Sequence, residues 1–192
     1  LLVAAHHIGV EVALILNKTD LLEEHSGVPA LLDSYRQLGY TTGTTNDRVD
    51  PTANVLRPLI QGRTIVLVGQ SGVGKSSLIQ RLIPDLAIRI GELSLAIDKG
   101  RHTTTAAELY HLPAGGRLID SPGIREFHLH HLTAPSVAAG FVEFQPYLGL
   151  CKFRDCQPAK DSGCALTAPL AGGHLSDVRF QSYRRIVDAP VP

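Results

Sequence analysis

Gly69-Gln70-Ser71-Gly72-Val73-Gly74-Lys75-Ser76 stands between an apolar run, Thr64–Val68 (TIVLV), and a segment of helical spacing, Lys75–Ile83. The stretch fits G-x-x-x-x-G-K-[ST] in a strand–turn–helix setting, which points to an α/β fold built around a phosphate-binding loop. Glycines let successive backbone N–H groups turn inward around phosphate oxygens. The helix that follows adds the partial positive charge of its N-terminus. Lys75 is placed to reach the β and γ phosphates, and the Ser76 hydroxyl to hold Mg²⁺, with Ser77 next in the same turn. A glycine-rich turn that merely precedes a helix is the bland alternative; the flanking strand and helix argue against it.

Upstream, Val10–Leu16 (VEVALIL) reads as a buried parallel strand that ends in Asn17-Lys18-Thr19-Asp20. These four residues choose the base. The Asp20 carboxylate can accept hydrogen bonds from both N1–H and the exocyclic amine of guanine. Adenine presents an acceptor at N1, which would face the carboxylate unfavourably, and a site built on a buried acceptor rejects such a base strongly. Asn17 can bond the other edge of the base and tie neighbouring loops together. The Lys18 stem can lie along the base plane.

Downstream, Asp120-Ser121-Pro122-Gly123 follows a strand at Gly116–Ile119. Asp120 is expected to hold Mg²⁺ through water and the Gly123 N–H to touch the γ-phosphate, so that this loop responds to loss of that phosphate. Between the two motifs lies Arg101-His102-Thr103-Thr104-Thr105. Thr104 is the candidate Mg²⁺ ligand, with Thr103 and Thr105 as alternatives. Many GTPases carry Gln immediately after DxxG to orient water. Here Ile124 cannot do so, and His102 is the local candidate catalytic group.

The usual order of these motifs is phosphate loop, switch Thr, DxxG, NKxD. Here NKxD comes first. The expected fold is therefore a circularly permuted three-layer α/β/α P-loop GTPase, with the old termini joined through Leu21–Arg63. Termini of a domain often lie close together, which makes permutation tolerable. In that joining stretch Pro29–Leu38 and Ala53–Ile60, which contains Pro58, have helical spacing; Tyr40–Pro51 reads as a loop. Gly91–Arg101 is weakly periodic, and Ala106–Leu112 with Gly116–Ile119 reads as a hairpin. The character changes from about Phe127, and a boundary near Leu132–Ala138 divides a nucleotide domain at 1–132 from a small appendage at 133–192. All three Cys and an amphipathic segment, Leu175–Ile186, fall in the appendage.

The 192 residues are 44% hydrophobic and 19% charged with a net charge of +0, an ordinary globular balance without a bulk pull toward nucleic acid or membrane. No apolar run reaches the roughly 18–20 residues of a membrane span, and residues 1–7 lack the features of a secretory signal. Three Cys, an odd number, argue for a reducing compartment, the cytoplasm, over a disulfide framework. The chain begins at Leu1, as if inside a helix, and holds 0 Met; it is expected to be a fragment.

Taken together, NKTD, GQSGVGKSSL, GRHTTT and DSPGIREF resemble, in order and spacing, the bacterial small-subunit-dependent GTPases of the RsgA or YjeQ family. FVEF, YLGLCKFRDC and SGC resemble that family's small zinc domain. The resemblance covers nearly the whole chain. It implies GTP/GDP with Mg²⁺ as ligands, and a monomer acting on the 30S subunit and 16S rRNA late in 30S maturation. It also implies a zinc site at Cys151, Cys156 and Cys164, and an OB-fold ahead of this chain. Two departures stand out. The family's fourth ligand, a His two residues after the second Cys, is replaced by Pro158, leaving His174, Asp161 or water as candidates. The family's apolar strand after Tyr40 is replaced by TTGTT, which puts the last guanine-binding loop in question. The competing expectations are a P-loop ATPase or kinase, and an RNA-binding module with weak or no hydrolysis.

Overall fold

The computed structural model describes residues 1–23, 26–46, 52–70, 72–83, 108–113, 115–120, 132–153, 156, 158 and 161–189. They form two compact units. One spans Ala13–Glu126; the other joins Leu1–Val12 to Phe127–Pro192.

The first unit holds all the described strands. β1 (Ala13–Leu16) pairs in parallel with β2 (Thr41–Thr44), in register Ala13↔Thr41 through Leu16↔Thr44. A parallel pair needs a crossover, and α2 (Val28–Gln37), which packs on β2, supplies it. The stretch after Tyr40, expected to be a loop, is thus a strand at its start. Thr is a good strand former, and the pairing with apolar β1 overrides the turn-like composition.

The second sheet has the order β3-β5-β4, with β3 (Thr64–Leu67), β4 (Glu108–His111) and β5 (Arg117–Asp120). β3 and β5 are parallel, with Leu67 opposite Asp120; β4 and β5 form the antiparallel hairpin that the sequence indicates. Helices α3 (Thr52–Ile60) and α4 (Lys75–Leu82) cover this sheet: Ile60, Ile79, Leu112 and Leu118 form its buried core, with Ile65 and Leu67 packed against them. Helix α3 continues past Pro58 to Ile60. The TIVLV run suggests a strand buried on both faces. The structure differs: Val66 and Val68 remain 46% and 43% exposed. Ile65 and Leu67 take the face packed against the core.

The second unit is helical: α1 (Leu2–Ile8), α5 (Ala134–Ala139), a 3₁₀ turn (Val142–Tyr147), α6 (Thr167–Ala171) and α7 (Asp177–Val187). Thr133 caps α5, its side chain accepting from the Ser136 N–H, with Pro135 in the first turn. Phe141, Phe144, Phe180 and Tyr183 stack into the core, joined by Val3, Val137, Leu166 and Leu175. Arg179 is buried beside them. Its Nε and Nη2 donate to the Glu143 carboxylate at 2.6 and 3.2 Å, and its guanidinium lies 4.6 Å from the Phe141 ring centre. The expected C-terminal helix is present, displaced by one or two residues as helix ends commonly are.

Candidate nucleotide site and cysteine centre

Parallel strands deliver their ligand-contacting residues at their carboxyl ends. The NKTD motif follows β1, the phosphate loop follows β3, and Asp120 ends β5 beside Leu67, one residue before Val68 and Gly69. Sheet pairing therefore places Asp120 next to the start of the phosphate loop.

NKTD grips that loop directly. Asn17 Nδ2 donates to the Val73 carbonyl at 3.0 Å, and Lys18 Nζ donates to the Gly72 carbonyl at 2.7 Å. Lys18 has φ 59°, the single positive value outside glycine among the described residues. Such a conformation costs a side-chain-bearing residue about 1–2 kcal/mol, and strain of this kind collects at functional sites. The loop's own turns fall on glycine, with φ +83° at Gly72 and +95° at Gly74. Lys75 Nζ folds back to the carbonyls of Gly69 and Gln70, at 2.7 and 2.8 Å. Ser76 and Ser77 lie in the first turn of α4 behind it. Thr19 and Asp20 open a short 3₁₀ turn.

Thr45, not singled out by the sequence, proves central. It is 1% exposed. Its hydroxyl donates to Asn17 Oδ1 at 2.7 Å, and its carbonyl accepts from the Thr19 N–H at 3.1 Å and the Thr19 hydroxyl at 3.3 Å. Its own N–H reaches the Leu16 carbonyl at 2.9 Å. Arg81 then donates to the Asn46 carbonyl at 2.8 Å, fixing the next residue to α4. The end of the TTGTT stretch, whose composition raised doubt, is thereby pinned. No local signal marks Thr45, since a Thr ending a polar run has no periodic partner. Ser71, His102, Thr104, Gly123 and Ile124, with the alternatives Thr103 and Thr105, lie outside the described residues.

In the other unit the Sγ atoms of Cys151, Cys156 and Cys164 lie within 4.8 Å of one another. Tight turns assemble them: the Lys152 N–H donates to the Gly163 carbonyl at 3.0 Å, and the Cys164 N–H to the Asp161 carbonyl at 3.2 Å. The Ala165 N–H donates to Cys151 Sγ at 3.4 Å. Burial, then hydrogen bonding with Cys151 and Cys164 and their charge, pushes the Cys156 thiol up to about 12. A soft thiolate set suits Zn²⁺. Neither His174 nor Asp161 joins the cluster. No helix of the described residues is long and apolar enough to cross a membrane.

Among curated proteins, the small ribosomal subunit biogenesis GTPase RsgA of Chromohalobacter salexigens is 54% identical over 188 residues, 97% of this chain and 55% of that protein. The protein of the same name from Pseudomonas aeruginosa strain LESB58 is 48% identical, again over 97% of this chain and over 56% of its own length. The chain thus spans about half the length of the curated relatives it matches. Among solved structures, the circularly permuted GTPase YloQ superposes with a TM-score of 0.75 at 25% identity, covering 100% of this chain and 62% of its own. YjeQ from Thermotoga maritima gives 0.75 at 24%, covering 99% and 64%, and bears on the fold alone. The permuted P-loop fold expected from motif order is the fold these structures share. The RsgA GTPase family model matches residues 1–130, across all three nucleotide motifs and the strands that carry them, so the chain belongs to the RsgA GTPase family.

Proposed function

We propose that this chain binds GTP and GDP with Mg²⁺ and hydrolyses GTP during late maturation of the small ribosomal subunit, in the cytoplasm. The observation that carries the reading is the direct clamp of NKTD on the phosphate loop, through Asn17 to Val73 and Lys18 to Gly72. It holds a guanine-reading carboxylate, Asp20, and a phosphate-reading amine, Lys75, in one framework. Asp20 accepts the guanine donors. Lys75 and the N–H groups of residues 69–77 take the phosphates. Ser76 and Asp120 serve Mg²⁺ on either side, with Thr104 and Gly123 responding to the γ-phosphate. Ile124 offers the attacking water no hydrogen bond, so His102 takes that part. The ribosomal partner follows from the names of the relatives, the small ribosomal subunit biogenesis GTPases. A Zn²⁺ ion belongs to Cys151, Cys156 and Cys164, whose donor set suits it.

The test is GTP turnover with and without 30S subunits. Alone, the chain should turn over slowly, on the order of 10⁻⁴ to 10⁻² s⁻¹ as unassisted GTPases do, and faster with subunits. Lys75→Ala should abolish both rates. Equal rates in parent and variant, or no response to subunits from the whole protein, would contradict the proposal. For the metal, elemental analysis should return one zinc per chain, and none after all three cysteines are changed to Ser.

A further inference from the structure

Strand register places a second carboxylate beside Asp120. Glu108, the first residue of β4, stands directly opposite Asp120, the last residue of β5. Side chains directly opposite each other on an antiparallel pair leave the same face of the sheet, with Cβ atoms about 4.5–5.5 Å apart. The residues two positions along identify that face. Tyr110 lies opposite Leu118, and both belong to the core that Ile79 of α4 completes. Glu108 and Asp120 therefore leave the sheet on the side that carries α4, whose first turn holds Ser76. They also stand at the edge where β3 runs toward the phosphate loop, since Leu67 flanks Asp120 on its other side.

Glu108 is held in this place by its own strand: the Tyr110 hydroxyl donates to Glu108 Oε2. Two carboxylates directly opposite repel, which costs stability in a sheet. A divalent cation beside Asp120 turns that repulsion into a shared attraction. Ser76 and Asp120 offer a hydroxyl and a carboxylate, the hard oxygen donors that Mg²⁺ takes, and Mg²⁺ keeps several of its waters in sites of this kind. Those waters have protons to donate, and an ionised carboxylate can only accept.

We infer that Glu108 is a second acidic residue of the Mg²⁺ site: its carboxylate accepts a hydrogen bond from a water on the ion, and Tyr110 positions it. The inference rests on the nucleotide reading above, with Ser76 and Asp120 serving the same ion. Glu108 retains the metal and takes no part in reading base or phosphate. Its negative charge attracts Mg²⁺ but repels the phosphates when the ion is absent. Removing that charge therefore acts with opposite sign on metal-dependent and metal-free nucleotide binding.

Binding of a fluorescent GDP to the intact chain, titrated with magnesium chloride after stripping with EDTA, separates the two effects without any turnover. In the parent, Mg²⁺ should tighten GDP binding saturably. Glu108→Gln should raise the Mg²⁺ concentration at half effect about fivefold, the value of one ordinary hydrogen bond. In excess EDTA the same variant should bind GDP as tightly as the parent, or more tightly. Tyr110→Phe keeps the ring in the core and should raise the Mg²⁺ midpoint roughly twofold, because a less constrained acceptor loses only part of that bond. An unchanged midpoint in Glu108→Gln would overturn the inference while leaving the nucleotide site intact. A loss of GDP affinity equal in EDTA and in saturating Mg²⁺ would make Glu108 a structural residue and overturn it in the same way. An unchanged midpoint in Tyr110→Phe would remove the role assigned to Tyr110. GDP binding that is absent from the parent, or indifferent to Mg²⁺, would sink the nucleotide reading and the inference with it.

Discussion

At Gly74 a methyl group would stand 2.3 Å from Asn17 Nδ2, on a backbone whose φ of +95° already disfavours any side chain. Gly72 shares the left-handed backbone, at +83°, but an added Cβ there meets nothing within 4 Å. The pair separates strain from collision. Gly72→Ala should cost about 1–2 kcal/mol, the strain alone. Gly74→Ala should cost about 2–4 kcal/mol, because it also breaks the Asn17–Val73 bond. Chemical denaturation of both variants checks this, and equal losses would contradict the clamp. Thr45→Val keeps the shape and removes the hydroxyl that Asn17 Oδ1 accepts. Stability should fall by about 1 kcal/mol and GDP affinity by roughly fivefold. A stability loss with unchanged affinity would make Thr45 a core residue only. Asn17, Lys18 and Lys75, whose side chains tie the loops of this site together, stand out in the sequence because their chemistry and spacing carry the signal. Thr45 stays hidden because its importance comes from a hydrogen bond across 28 positions.

Strand β2 shows the same divide one level up. Its sequence, Thr41–Thr44, holds a glycine that ordinarily weakens a strand. In the fold an added Cβ at Gly43 would meet Val55 Cγ1 at 2.7 Å and Ile15 Cδ1 at 3.1 Å. The glycine admits α3 and β1 side chains over the strand, a reason that lies in packing and leaves no local trace. Gly43→Ala should therefore destabilise by about 1–3 kcal/mol through overpacking, and adding Val55→Ala should restore much of the loss. A double-mutant cycle measures that coupling; additive effects would refute the close approach. Strands β1, β3, β4 and β5 are legible because short apolar runs end in motif residues or a Gly-rich turn. The exposure of Val66 and Val68 is not, since a four-residue apolar run reads the same whether one or both faces are covered.

Over the whole molecule, residues from both ends of the chain share one helical unit. Val3 on α1 is 3% exposed and lies so close to Gly140 that a Cβ there would meet Val3 Cγ1 at 2.8 Å. Val3→Ala should cost about 1–3 kcal/mol, read as a lower melting temperature of the aromatic core in near-ultraviolet dichroism; no change would mean that α1 is only loosely held. That association is invisible in the sequence, where α1 precedes the first nucleotide motif and reads as part of the same domain. The permuted order, by contrast, is plainly legible, because NKTD, GQSGVGKS and DSPG keep their identities wherever the chain is cut. In the proposed function this permuted order still builds one guanine-nucleotide site. Competition of GDP and ADP for the chain in the presence of Mg²⁺ tests it most directly. Guanine should be preferred by at least about a hundredfold, as expected where a buried acceptor discriminates, and Asp20→Asn should shrink that preference. Equal affinity for the two nucleotides in the parent chain would contradict it.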